Sequence, residues 1–590
     1  MEKKTKLQWL RSNLDGNGWL YILSLFGVAV YSIMQLTVPF VSREIVDVFL
    51  TSDDAAANMA NRRDYFFFLI FAMVGLTLLR TTIVYLSAMG CEKVSQGALY
   101  KIRTYLFNKI EHQDMNFFNT YRTGDLMTRL TGDLDAIRHM IAWVLKSCIE
   151  SIFLVGATSI YFFIMDWRLA LAILALAPVM LWIIILFKNK VKLRHRDLRE
   201  KFANLNTDAQ ENISGNRVVK AFAREDYEIE KFDKANVEYS TYSKKTAMTW
   251  LEYFPYVQIV AELMPIVLLV FGGILIINKQ MTPGEFVAFS GLCWAIANPM
   301  RNMGGIVNEF QRFNAAAAKV MEIYYSEPKI VDKENAIELK ERVQGKIEFK
   351  NVSFKYEDGK LPVLNDVSFT VNPGETVAIM GETGCGKTSL INLIPRFYEP
   401  TSGEVLIDGI NVSDIKLHDL RCSIGLASQD VLLYSDSIDG NIAYGNLRLS
   451  LEEVMKYAKY SQAAEFIQKM PERYDTIIGE RGVGLSGGQK QRISLARALA
   501  VAPPILILDD TTSAVDMETE KEIQHALKSL DFECTKLIIA QRISTTKACD
   551  KILVLKDGRI VEEGSHDELV AKGGYYCSLV KLQTGEEVVA

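Results

Sequence analysis

Residues 376–388 read TVAIMGETGCGKT, and they concentrate more phosphate chemistry than any other stretch of the chain. An apolar β-type run feeds Gly381, four intervening residues, then Gly386, Lys387 and Thr388, with an apolar helical pattern from Ser389 onward. Glycines at this spacing let successive backbone N–H groups turn toward an anion, and the following helix start favours negative charge. Gly381, Glu382, Thr383, Gly384, Cys385, Gly386, Lys387, Thr388 and Ser389 are therefore expected to cradle a nucleotide. Lys387 would meet the β- and γ-phosphates, and the Thr388 hydroxyl would ligate Mg2+. A second run, ILILD at 505–509, reads as a buried strand ending in Asp509, an acid able to hold the same ion directly or through water. ATP and Mg2+ are the ligands this pattern predicts. Tyr356, in FKY at 354–356, is placed by its offset from the phosphate loop to stack on adenine. An adduct on the Cys385 thiol could not coexist with a bound β-phosphate, so nucleotide should protect it from maleimide.

Between these two elements lies Leu485-Ser486-Gly487-Gly488-Gln489, followed by a helical pattern over 490–497. This pentapeptide resembles the signature of ABC transporters, and the surrounding motifs match in order. Gln429 in SQD matches the Q-loop, Glu480 with Arg481 the exporter loop ahead of the signature, and Ser513–Asp516, SAVD, the D-loop. Upstream, residues 117–135 (FFNTYRTGDLMTRLTGDLD) and 209–228 (AQENISGNRVVKAFAREDYE) resemble the two intracellular loops of the same exporters, which carry coupling helices. The resemblance covers nearly the whole chain. It implies an ABC exporter half-transporter: an all-α transmembrane domain of six helices (the type IV exporter fold) at 1–325, a charged linker at 326–342, and an α/β P-loop ATPase domain at 343–590. In the family, the amides of Ser486, Gly487, Gly488 and Gln489 serve a γ-phosphate held by another subunit's P-loop, with Asp516 beside them and Gln429 close to the metal and the attacking water.

Two positions depart from the family pattern. Asp510 stands where a glutamate usually polarises the attacking water, and its shorter side chain sets the carboxylate back by about 1 Å, a misplacement that can cost roughly 100-fold in rate. Gln541 stands where histidine is usual; an amide can donate to a phosphate but cannot carry a proton or a positive charge. Both losses fall on ATP bound to this chain's own P-loop, whereas the intact signature serves the partner's ATP. A homodimer would carry two weakened sites. The expectation is a heterodimer with a catalytically complete second half-transporter, resembling the degenerate-site subunit of heterodimeric bacterial multidrug exporters. The alternative is a dedicated lipid or peptide exporter, which could be homodimeric.

These motifs need a membrane half to drive. Hydrophobic residues make up 49% of the chain, and in its first half they gather into runs too long for ordinary core helices. Six spans are expected, at about 17–42, 63–91, 138–165, 168–190, 248–278 and 284–308, each near the ~20 apolar residues a bilayer requires. Lys3, Lys4, Lys6 and Arg11 precede the first, so both termini and the ATPase domain are expected on the cytoplasmic side of the plasma (inner) membrane. Basic residues followed by a polar stretch and then a span, with no small-residue cleavage site, point to a signal anchor.

Ionisable groups inside spans are costly and mark cavities or partners. Glu262 has no basic neighbour on its own helix and shares a face with Gln258, while Asn298 and Asn302 form a similar stripe on the last span. These four are the candidate substrate residues for a small amphipathic compound. A cavity-lining Glu262 would favour cations; the alternative is a carboxyl bonded to a neighbouring helix. A formal net charge of −5 gives no basic field for a nucleic-acid partner. The 8 cysteines show no CxxC pairs, which argues against a disulfide frame or a zinc site. Membrane lipids and a second half-transporter are the expected partners.

Overall fold

The computed structural model describes residues 5–14, 16–51, 62–479, 482–511 and 514–584. The chain forms two compact units: 1–111 with 123–326, and 112–122 with 327–590. The segment 112–122, which the sequence reading groups with the first 325 residues, clusters with the second unit.

The first unit is helical throughout. Among the described residues, five helical stretches are long and apolar enough to cross a membrane: Gly18–Leu50, Arg63–Glu111, Thr123–Met165, Trp167–Phe187 and Glu225–Ile277. The sixth expected span lies in the continuous helix Pro283–Tyr324, which is not one of these five. Asn298, Arg301 and Asn302 break its apolar run. This helix starts sharply, with Thr282 and Glu285 forming a reciprocal cap ahead of Pro283. Several helices extend well past the roughly 20 residues a bilayer needs; Arg63–Glu111 runs for 49. Large apolar side chains face outward in quantity, including Trp19, Phe71 and Ile164. Such a surface suits hydrocarbon far better than water. The interior is closed by Phe162 stacked on Phe289, with Met264, Leu268, Leu292 and Ile296 around them. In the helix that contains Pro255 and Pro265, the backbone relaxes into a π turn at Leu268–Gly272, just past the second proline.

The second unit is built on two sheets. One is antiparallel, in the order β2-β1-β4-β5, with β1 Ile347–Phe354, β2 Leu364–Val371, β4 Ser402–Ile407 and β5 Ile410–Asn411. The other runs β10-β9-β3-β8-β7-β6, with β3 Thr376–Met380, β6 Ile424–Ala427, β7 Ile505–Asp509, β8 Thr535–Ile539, β9 Lys551–Lys556 and β10 Arg559–Gly564. Its pairings are parallel except for the β9–β10 hairpin. All five residues of β7 are buried, as expected for a central parallel strand covered on both faces. In a doubly covered sheet, ligands gather beyond the carboxyl ends of the strands. Those ends here are Met380, Ala427, Asp509 and Ile539.

The segment Met115–Thr120 forms a short helix capped by Asp114, and Asn119 donates to the Tyr398 hydroxyl at 2.9 Å. The stretch expected to be a linker is packed on this unit rather than free. Ile337 N–H donates to the Asp414 carbonyl, and Arg342 to the carbonyls of Ala502 and Glu533.

Candidate functional site: a nucleotide cavity at the strand ends

The phosphate loop begins where β3 ends, and its glycines are sterically required. A Cβ on Gly381 would lie 2.2 Å from the Leu555 carbonyl oxygen, and Gly386 sits at φ +106° as it caps the helix Lys387–Asn392. Lys387 Nζ folds back over the loop and donates to the Gly381 and Glu382 carbonyls, both at 2.8 Å. Thr388 Oγ1 donates to Asp509 Oδ2 at 3.1 Å across two elements far apart in sequence. Asp509 is 5% exposed. Burial pushes its carboxyl above the usual range, while the Thr388 hydroxyl opposes that shift.

A cavity of about 340 Å³ opens here, lined by Tyr356, Val363, Thr383, Gly384, Gly386, Lys387, Thr388, Ser389, Gln429, Asp509, Asp510, Ile539 and Gln541. The Tyr356 hydroxyl shares a 2.8 Å hydrogen bond with Ser389, and Phe354 and Tyr398 hold its ring edge-on at 4.7 and 5.1 Å. Gln541 Nε2 donates to Asp510 Oδ2 at 2.8 Å. Asp510 adopts φ +49°, a left-handed conformation that aspartate tolerates better than most residues, and Gln491 Nε2 reaches its carbonyl at 3.4 Å. The hard oxygen donors of Thr388, Asp509 and Gln429 fit Mg2+ shared with a substrate's phosphates. Among the described residues no cluster of three or more His, Cys, Asp or Glu could hold a metal unaided.

Cys385 meets the expectation of a labile thiol poorly. It is 9% exposed, and burial raises its pKa despite the nearby Lys387 ammonium, so the thiolate that reacts with maleimide is scarce.

The signature residues do not line this cavity. Ser486 and Gln489 form a reciprocal cap on the 14-residue helix Gly487–Ala500, and a Cβ on Gly488 would lie 2.8 Å from the Ala514 carbonyl. Asp516 caps the helix Met517–Lys528 by accepting from Thr519 N–H at 2.9 Å, and that bond lowers its pKa. Glu480, Arg481 and Ser513 lie outside the described residues. Sequence reasoning missed Gln491, whose side-chain Oε1 accepts from Ala514 N–H while its Nε2 donates to the Asp510 backbone carbonyl. No motif signals it, because its partners are about twenty positions away.

In the membrane unit, Gln258 Nε2 donates to Glu262 Oε1 at 2.8 Å, and Arg301 donates to Gln258 Oε1 at 3.1 Å and to Asn298. Glu262 has no basic neighbour on its own helix, yet Arg301 of the adjacent helix reaches it through Gln258. A cation preference founded on an uncompensated carboxylate therefore no longer follows. Asn302 is exposed on the same helix as Arg301.

The comparisons with known proteins agree with this architecture. Residues 21–300 match the ABC transporter transmembrane region family, and 364–513 match the ABC transporter family. The ABC transporter ATP-binding protein YknU of Bacillus subtilis (strain 168) is 40% identical, covering 82% of this chain and 83% of its own. The ATP-dependent lipid A-core flippase of Syntrophus aciditrophicus (strain SB) is 36% identical, covering 88% and 86%. YgaD of B. subtilis, an ATP-binding/permease protein named for multidrug export, is 34% identical over 96% and 97%. The structure of a bacterial Atm1-family ABC exporter with ATP bound superposes with a TM-score of 0.79 at 26% identity, covering 96% of this chain and 99% of the other. The chain thus belongs to the ABC transporters, as an exporter half-transporter of type IV fold in which a helical membrane domain is fused to an ATP-binding, ATP-hydrolysing domain.

Proposed function

We propose that this half-transporter exports small amphipathic or hydrophobic compounds across the inner membrane as one member of a heterodimer, with its ATPase domain in the cytoplasm. In that pair its own P-loop site is slow, and its signature completes the partner's faster site. The contact between Gln541 and Asp510 carries this reading. A carboxylate already set back by one methylene has one oxygen engaged by an amide that cannot take up a proton. A water held there gains little basicity, and Gln541 cannot accept its proton and pass it on.

Two further observations support a partner. Ser486, Gly487, Gly488, Gln489 and Asp516 stand apart from the chain's own nucleotide cavity. The loop around 213–229 also exposes Ile213, Val218, Phe222 and Tyr227, an apolar tip suited to burial against another subunit. On this reading Tyr356 stacks on adenine, while the loop Gly381–Ser389 and Lys387 bind the phosphates. Mg2+, held by Thr388, Asp509 and Gln429, would neutralise phosphate charge. Gln541 donates to the γ-phosphate, and Asp510 and Gln429 orient water. Gln258, Glu262, Asn298 and Asn302 line the substrate path.

A lipid exporter is the second reading, and Arg301 favours it. A guanidinium beside Gln258 and Asn298 in the membrane unit suits an anionic headgroup, and one close relative is named as a lipid A-core flippase.

The test is isolation of the tagged chain from native membranes. The expected result is co-purification of a second half-transporter with glutamate and histidine at the positions of Asp510 and Gln541. Hydrolysis should be slow for the chain alone and fast for the pair. A demonstrated homodimer with fast hydrolysis would overturn the proposal.

A further inference from the structure

The helix Tyr575–Thr584 touches the nucleotide site at both of its ends. At its start, the Tyr575 hydroxyl donates to Glu382 Oε1 of the phosphate loop at 2.6 Å, and this bond pushes the phenol pKa up to about 12. Near its end, the Gln583 side chain bridges the backbone that carries Gln541. Gln583 Nε2 donates to the Gln541 carbonyl at 2.7 Å, and Gln583 Oε1 accepts from Ile543 N–H at 3.0 Å. One amide thus pairs with residues 541 and 543 as a neighbouring strand would. Gln541 in turn sends its own side chain to Asp510.

The helix is a firm base for this contact. The Glu562 carboxylate caps it by accepting from the N–H groups of Tyr575 and Tyr576 at 2.6 and 2.9 Å. Tyr576 and Val580 are buried in a cluster with Ile552, Val554 and Leu569, which ties the helix to the β9 side of the central sheet. At about 1.5 Å per residue, the eight steps from Tyr575 to Gln583 span roughly 12 Å of rigid rod. The loop 540–542 is also held through the Arg542 side chain, which donates to the buried Glu520 carboxylate at 2.6 Å and to the Val515 carbonyl at 3.3 Å. It leaves β8 after Ile539, and Ala540 N–H donates to the Ile379 carbonyl at 3.2 Å.

We propose that Gln583 is a positioning residue for the γ-phosphate: by clamping the backbone of residues 541 and 543 it holds Gln541 where its amide meets the terminal phosphate, and through Tyr575 the same helix ties that loop to the phosphate loop. This rests on the reading of Gln541 given above. Gln583 does not touch nucleotide. Its effect falls on ATP and not on ADP, because Gln541 has no terminal phosphate to meet in ADP.

The test compares Mg-ATP with Mg-ADP binding to the full-length chain in lipid nanodiscs, by competition against a fluorescent ATP analogue. Gln583 is exposed, so Gln583→Ala and the similarly shaped Gln583→Met should leave the melting temperature unchanged. Two hydrogen bonds partly replaced by water should lower the preference for ATP over ADP by about three- to tenfold, with ADP affinity constant. Gln541→Ala should lower the preference at least as far. Adding Gln583→Ala to Gln541→Ala should change nothing more, since Gln583 acts through Gln541. If both Gln583 variants keep the preference while Gln541→Ala loses it, the positioning role is wrong and the γ-phosphate role of Gln541 stands. Equal weakening of ATP and ADP would show a merely structural contact and would also overturn the proposal. If Gln541→Ala itself leaves the preference intact, the γ-phosphate reading fails, and the role of Gln583 fails with it.

Discussion

Replacing Asp510 by glutamate and Gln541 by histidine together should turn the slow site into a competent one. The glutamate moves its carboxylate forward by about 1 Å, a displacement worth up to roughly 100-fold in rate, or about 2.7 kcal/mol of barrier. The histidine restores a group able to exchange a proton, which typically contributes roughly 10²–10⁴-fold. The two factors should not multiply. Gln541 Nε2 and Asp510 Oδ2 are 2.8 Å apart, and residues in contact couple. A combined gain of about 10²–10⁴-fold is expected, most of it seen only in the double variant. Some stability is lost, because Asp510 sits at φ +49°, where glutamate is less at home than aspartate; the cost is at most about 1 kcal/mol. The assay is phosphate release by the purified full-length chain in nanodiscs at saturating Mg-ATP, with Lys387→Ala as the blank. A double variant within about threefold of the unmodified chain, still folded and still binding ATP, would refute the reasoning.

In the assembled pair, Ser486→Arg should abolish turnover, because Ser486 serves the partner's ATP, whereas Asp510→Asn should do much less; equal damage in steady-state hydrolysis would reverse the assignment of the working site. Cys385 should label with maleimide more slowly than the exposed Cys422, and Mg-ATP should block it completely; peptide mapping that shows Cys385 labelling unaffected by nucleotide would contradict the phosphate-loop geometry. Removing Arg301 from the Gln258–Glu262 chain with Arg301→Ala should impair transport of anionic amphiphiles several-fold more than that of cationic ones, by analogy with the loss of a charged hydrogen bond of roughly 1.5–3 kcal/mol. Glu262→Gln should leave dye selectivity nearly unchanged; selective loss of cationic dyes in vesicle uptake would restore the simpler reading of Glu262 as a cation site.

The phosphate loop, the signature and the carboxylate strand were legible in the sequence because each is a local device. Gly381 and Gly386 satisfy steric demands made within a few residues, and the Ser486–Gln489 cap closes within three. The apolar runs were legible for a similar reason, since bilayer thickness fixes how many residues a span needs. The last span is legible too, together with its polar stripe at Asn298 and Asn302, although that stripe and Arg301 interrupt the apolar run within the helix Pro283–Tyr324. The contacts that decide chemistry here join residues distant in sequence. Gln541 reaches Asp510 across 31 positions, Arg301 reaches Gln258 across 43, and Gln583 reaches Gln541 across 42. No spacing rule relates such pairs, because their separation along the chain depends on the loops and helices between them. The amino-acid types at positions 510 and 541 revealed a departure from an ordinary site. Folding the parallel sheet brought the ends of β7 and β8 side by side, which decided that the two departures touch each other, and packing of the helix Tyr575–Thr584 on the β9 side set Gln583 against the Gln541 backbone.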